Sequence, residues 1–193
     1  MTDTIDRLEQ EINDLDLGPE KHRFKQLRKF VYRWTKFFNK GVCTPDDYIL
    51  DFGCASGFSI FTGRMFGFEN VYGLDVDTSD NAEFYYPLMR AVSKIIGVDE
   101  KIKLYCGHGE LPFEDNTFDA IVSYSAITKD FSEGHSGSGT SARLRVRVQE
   151  LDRISKPDAT WFIYPKKHLD LFRDMSLSVG LKSNIRFKKL SVD

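Results

Sequence analysis

A doubly wound α/β fold, with a mostly parallel sheet and helices on both faces, is predicted by three features of this sequence. From Tyr48 onward, strand-like and helix-like segments alternate. The first strand-like run breaks into a glycine turn and then a helical pattern, "YILDFGCASGFSIF" at residues 48–61. The second, "VYGLDVD", reaches an acid at Asp75 about twenty residues later, the spacing at which such folds place a ligand-binding carboxylate. Strands separated by helices lie parallel, because the chain must cross back over the sheet between them.

Residues 1–44 read as an N-terminal helical extension, and residues 45–193 as the α/β domain. The extension divides by charge. Residues 1–20 hold Asp3, Asp6, Glu9, Glu11, Asp14, Asp16 and Glu20 against Arg7 alone, whereas residues 21–40 hold eight Lys or Arg and no acid. In that basic window Phe24, Leu27, Val31, Trp34 and Phe38 recur at helical spacing. The plain reading is a helix docked on the domain, its basic side solvated or facing the acidic segment. A sharper one makes it a lid or a nucleic-acid contact.

In the domain, "YILDF" reads as a strand, "GFSIFTGRMFGF" as a helix and "NVYGLDV" as a strand. "PLMRAVSKIIG" is a helix with Pro87 near its start and Gly97 as its stop. "KIKLYC" and "FDAIVSYSAI" follow as strands, then "SARLRVRVQELDRIS" as a helix whose Arg143, Arg145, Arg147 and Arg153 read as solvated surface. "ATWFIYP" (strand), "KKHLDLFRDMSLSVG" (helix) and "SNIRFKKLSV" (strand) complete the chain. The Gly/Ser-rich "SEGHSGSGTS" at residues 132–141 reads as a loop.

Composition excludes several classes. At 193 residues with 41% hydrophobic and 29% charged, the chain can bury a full core. No apolar run approaches the roughly 20 residues of a membrane span, and no signal-peptide pattern opens the sequence, so the expectation is a cytoplasmic protein without membrane contact. Cys43, Cys54 and Cys106 lack zinc-like or paired spacing, which predicts reduced thiols and no metal site.

The glycine turn lies where a doubly wound sheet brings backbone nearest to a ligand. Gly53 and Gly57 are four apart, without the GxGxxG of a dinucleotide site or the GK[ST] of a phosphate loop. Asp75 is placed to accept hydrogen bonds from a ribose diol. Turn and acid together describe a nucleoside site that needs no phosphate.

Three motifs, "ILDFGCASG", "VYGLDVD" and "GELPFEDNTFDAIVS", occur in this order over about residues 45–165. Here the chain resembles the class I S-adenosylmethionine-dependent methyltransferases, and the type 11 methyltransferase-domain family most of all. The resemblance implies a Rossmann-like methyltransferase fold and S-adenosylmethionine as cofactor, with S-adenosylhomocysteine as product. It places the backbone of Gly53 and Cys54 against the methionine part, Gly57 at a close passage, and Asp51 in the turn near the sulfonium or amino group. Asp75 would hold the ribose, Val76 would face adenine, and Ser123 would line the methyl-transfer pocket.

Two departures stand out. The acid that usually contacts adenine is missing before "LPF"; Gly107 and His108 occupy the aligned pair, leaving His108 or the backbone of Gly109 for that contact, with Glu110 a weaker substitute. After the last helix the family usually adds two strands, and only one is legible here, so the sheet lacks its last strand or is arranged differently after Trp161. The exposed edge would be guarded by Arg186, Lys188 and Lys189, or covered in an oligomer.

An activated methyl group needs alignment and exclusion of water more than a base, so no catalytic residue announces itself. His108, Tyr124, Asp130 and His135 are the candidate bases near strand ends. "SYSAI" stands where amine-methylating DNA enzymes carry a DPPY-like motif. The expected acceptor is a small molecule; the alternatives are RNA or protein reached through the basic helix 21–40, or an inactive cofactor-binding partner subunit.

Overall fold

The structure, a computed structural model, describes residues 2–15, 27–76, 85–105, 110–124, 139–181 and 184–190. Cys106, His108, Gly109, Asp130, His135 and residues 21–26 of the basic window lie outside the described residues. The helices are α1 (Thr2–Asp14), α2 (Leu27–Phe38), α3 (Phe58–Met65), α4 (Tyr85–Ile95), α5 (Gly139–Ile154) and α6 (Lys166–Val179). The strands are β1 (Ile49–Phe52), β2 (Val71–Val76), β3 (Ile102–Tyr105), β4 (Phe118–Tyr124), β5 (Ser155–Tyr164) and β6 (Arg186–Lys189). They form one six-stranded sheet in the order β3-β2-β1-β4-β5-β6, every neighbouring pair parallel. The expected doubly wound fold is present.

Alternation along the strands sorts side chains between two cores. Ile49, Val71, Ala120, Val122 and Phe162 face α1 to α4. Leu50, Leu74, Ile121, Trp161 and Ile163 face α5 and α6. All four residues of β1 are buried, as expected of a central parallel strand covered on both sides.

The N-terminal segment contributes to the first of these cores. Leu27, Val31, Trp34, Phe37 and Phe38 of α2 are all buried, with Phe37 edge-on to Phe162 of β5 at 5.2 Å. α1 buries Ile5, Leu8 and Ile12 in the same cluster. Its acids meet the basic window at Arg28, whose guanidinium pairs with Asp6 and Glu9 and whose amide donates to Glu9 Oε1 at 2.9 Å. The charge split in the sequence thus becomes an ion-paired joint between α1 and α2.

Two boundaries differ from expectation, and the first is α5, which begins at Gly139 inside the stretch read as a loop. β5 begins at Ser155, directly after α5, instead of at Ala159. Its register against β4 shifts between Phe118 and Ala120, and Asp158 takes a left-handed φ of 65° in the irregular stretch. Trp161 Nε1 donates to Ser155 Oγ across that stretch at 2.9 Å and ties it down. At the other end, one strand follows α6 among the described residues. It pairs directly with β5, Thr160 opposite Arg186 through Ile163 opposite Lys189, leaving β3 and β6 as the edges. No helix among the described residues is long and apolar enough to cross a membrane.

Candidate cofactor and methyl-transfer site

Strand alternation puts Asp51 on the same side of β1 as Ile49, facing α3, where Ser59 in the first helical turn donates to Asp51 Oδ2. The turn that follows has left-handed φ at Gly53 (85°), Ala55 (48°) and Gly57 (79°). It hangs from the end of β2, with Gly53 and Cys54 amides donating to Leu74 O at 2.7 and 3.3 Å. The Ala55 amide donates to Asp75 Oδ2 at 2.7 Å. Asp51, Gly53, Cys54, Gly57 and Asp75 therefore converge on one turn.

The bareness of this turn is in part internal packing. A Cβ on Gly57 would lie 2.9 Å from Val98 Cγ2 and 3.0 Å from Ile102 Cδ1. Gly73 of β2 is as constrained, since a Cβ there would lie 2.5 Å from Cys54 Sγ. A glycine inside a strand is the signal that could have flagged it.

Electrostatics follow from burial. The Asp51 carboxyl is pushed up to about 7, chiefly by burial and further by the nearby Asp75 charge, while the Ser59 hydrogen bond pulls the other way. The Cys54 thiol is pushed well above its ordinary range by burial and by Asp75 and Asp51, so it is a neutral packing group.

Other expected site residues lie at or near the ends of β2 and β4. Ser123 is buried on β4, where alternation turns it to the α5 and α6 side; its Oγ has no hydrogen-bond partner among the described residues. Val76 ends β2 opposite Tyr105 of β3. Tyr124 ends β4 and stacks on Tyr164, centroids 4.7 Å apart. His108 and Gly109 lie outside the described residues, but the segment just after them is held firmly. Glu150 Oε2 of α5 accepts from the Leu111 amide at 2.8 Å, and Arg153 donates to Leu111 O, Phe113 O and Asp115 Oδ1 at 3.0, 3.0 and 2.7 Å.

The guanidinium also binds Glu150 Oε2 at 2.8 Å, and these carboxylates hold Arg153 above its usual range. Burial works to raise Glu150, yet hydrogen bonds from Arg153 and Leu111 and the Arg153 charge leave it below the ordinary carboxylate range. This corrects the solvated-surface reading for Arg153 and for Arg147, which is only 5% exposed, whereas Arg145 is exposed as expected. The i, i+3 spacing of Glu150 and Arg153 was the available signal. A cavity of about 620 Å³ beside this clamp is lined by Tyr48, Tyr72, Leu111, Phe113 and Phe118. It lies on the α5 side of the sheet, away from Asp51.

A family model described as a methyltransferase domain matches residues 50–163, more than half of the chain. The chain belongs to the type 11 methyltransferase-domain family, among the class I S-adenosylmethionine-dependent methyltransferases. Two solved structures share the fold of this methyltransferase domain. An S-adenosylmethionine-dependent methyltransferase from Aquifex aeolicus is 18% identical at a TM-score of 0.50, covering 89% of this chain and 87% of its own. A candidate sarcosine dimethylglycine methyltransferase from Galdieria sulphuraria is 19% identical at 0.52, covering 92% and 74%. The protein YcgJ from Bacillus subtilis is 22% identical at 0.43, covering 66% of this chain; the chain spans 47% of that protein's length. No curated protein matches significantly.

The methyltransferase turn has features that fit the family's cofactor. Ser56 Oγ, within it, is buried without a partner among the described residues. Gly57 begins α3 with no side-chain cap, leaving the first helical amides for a carboxylate. Asp75 ends β2 directly beneath the turn, where its carboxylate accepts the Ala55 amide.

Proposed function

We propose that this methyltransferase domain binds S-adenosylmethionine over the turn at residues 53–57 and transfers its methyl group to a small-molecule acceptor. The observation that carries the reading is the pair of carboxylates, Asp51 and Asp75, gathered under one glycine turn. Negative charge there favours a ligand bearing a sulfonium and an ammonium and opposes a pyrophosphate. In this reading Asp75 takes the ribose hydroxyls, and Gly53 and Cys54 backbone lies along the methionine part. Val76 and the His108–Gly109 segment flank adenine.

Bound there, the cofactor supplies an already activated methyl group. The chain's own part is to hold the acceptor in line and keep water out. Cys54, a buried neutral thiol, is no nucleophile. The basic helix favours a small acceptor over RNA, because three of its described cations lie against neighbouring side chains instead of forming a free basic stripe. Arg28 is paired with Asp6 and Glu9, Arg33 lies over Tyr124 and Lys36 over Tyr32.

Calorimetry and thermal melting test the reading. S-adenosylmethionine and S-adenosylhomocysteine should bind and raise the melting point, whereas NAD and ATP should not. A labelled-methyl screen against small-molecule pools, RNA and protein then identifies the acceptor class. A larger shift with NAD would return a dehydrogenase to contention; methyl transfer only to RNA or protein would replace the small-molecule reading. Cofactor binding without turnover on any pool would favour the inactive partner subunit.

A further inference from the structure

A continuous stack of rings and one cation runs from the cofactor turn to the ends of β4 and β5. Phe58, the first residue of α3, stacks on Phe30 of α2 with centroids 5.3 Å apart. One helical turn on, the Arg33 guanidinium lies 5.1 Å from the Phe30 centroid and 3.9 Å from that of Tyr124, the last residue of β4. Tyr124 in turn stacks on Tyr164, the last residue of β5, at 4.7 Å and 1°. The carboxyl ends of parallel strands are where a doubly wound sheet receives its ligands. Arg33 therefore sits between the cofactor turn and the neighbouring strand ends, where an acceptor must lie.

Its bonding differs from that of the chain's ion-paired arginines. Arg28, Arg64 and Arg153 each end on a carboxylate, whereas half-buried Arg33 has neither ion pair nor hydrogen bond among the described residues. Rings lie against its guanidinium at these distances, and a guanidinium held over a ring can still present its N–H donors to another partner. Such a fork matches a carboxylate in two parallel hydrogen bonds. Of the nearby cations, Lys36 lies over Tyr32 and Lys166 is paired with Asp170 at 3.7 Å. A single guanidinium suits a singly charged carboxylate better than a phosphate dianion.

We infer that Arg33 binds a carboxylate of the methyl acceptor, with Tyr124 and Tyr164 as an adjoining wall. The inference rests on the methyltransferase reading above.

The test uses the full chain and matched probes: benzoate, 4-hydroxybenzoate and hexanoate against their carboxamides, and phenyl phosphate against phenol. Melting is followed with and without saturating S-adenosylhomocysteine. The acids should raise the melting point and their amides should not, and Arg33→Gln should abolish the acid shift while leaving the S-adenosylhomocysteine Kd within threefold of wild type. With any acceptor found by methyl transfer, the same variant should raise KM tenfold or more with little change in kcat. Equal shifts for acids and amides, no acid-selective shift, or shifts that survive in Arg33→Gln would overturn the assignment. A larger effect of phenyl phosphate would replace carboxylate by phosphate ester. Failure of S-adenosylhomocysteine to bind would count against the methyltransferase reading instead, since acid selectivity is read separately in its absence.

Discussion

Asp75 at the end of β2 accepts the Ala55 amide at 2.7 Å, so the acid that closes the second strand also braces the turn after the first. The two motifs of the site are therefore one structure. Ala55 carries a left-handed φ of 48°, and the hydrogen bond helps hold that strained residue.

Asp75→Ala should abolish useful cofactor binding. Hydrogen bonds to a charged group contribute about 1.5 to 3 kcal/mol each, so losing two from a ribose weakens binding by roughly a hundredfold or more. Because the brace is lost too, the melting point should also fall. Asp75→Asn, which keeps an oxygen for the Ala55 amide, should recover stability while leaving cofactor affinity impaired. Calorimetry beside thermal melting separates the two roles, and an affinity within threefold of wild type in Asp75→Ala would exclude Asp75 as the ribose ligand.

Asp51 predicts a pH dependence. Its folded pKa of about 7 lies above the ordinary carboxylate value, so the folded state holds a proton that the unfolded state releases. Stability should therefore be full below about pH 4 as far as this group is concerned, and decline as pH rises through about 7. Asp51→Asn should flatten that slope in denaturant titrations between those limits. Since a cationic ligand favours ionised Asp51, the preference for S-adenosylmethionine over uncharged-sulfur S-adenosylhomocysteine should grow with pH across the same window. A pH-independent affinity ratio would remove Asp51 from the sulfonium's surroundings.

Arg153→Ala should destabilise the fold by about 2 kcal/mol or more, because it frees Glu150 and the carbonyls of Leu111 and Phe113 at once. Arg153→Lys should rescue little, since an ammonium cannot reach the same set of acceptors. Urea denaturation measures the loss, and hydrogen exchange at the Leu111 amide should quicken in both variants.

Trp34→Ala should cost about 3 to 5 kcal/mol, the range for a large aromatic removed from a core. At about 2 to 4 °C per kcal/mol for a chain of this size, the melting point falls by roughly 6 to 20 °C. A loss below about 1 kcal/mol would mean that α2 is only loosely docked. The measured value thus decides whether residues 27–38 belong to the domain's core or to a separable extension.

Much of the sheet was legible because local pattern and tertiary role coincide there. "YILDF", "VYGLDV" and "ATWFIYP" are short, apolar and bounded by turn residues, and strands separated by helices admit few parallel arrangements. The glycine turn was legible for a related reason: Gly53 and Gly57 occupy left-handed positions that other residues enter only with strain. Ser155 was not legible as a strand residue, because its place depends on pairing with Phe118, far back in the chain, and on a Trp161 hydrogen bond that no periodic pattern announces.

By itself, the sequence determined the order of elements, the parallel sheet and the turn with its acid, since periodicity and backbone sterics act over a few residues. The tertiary structure alone decided what long-range packing decides. It turned α2 inward through Trp34 and Phe37, closed Glu150 and Arg153 on the loop at Leu111, and buried Asp51 deeply enough to raise its pKa. It also laid Arg33 across Tyr124, ninety-one residues away in the chain, a contact between α2 and β4 that no local pattern announces. The physical reason is common to all four: burial and side-chain partnership belong to residues that the chain brings together only when the sheet forms.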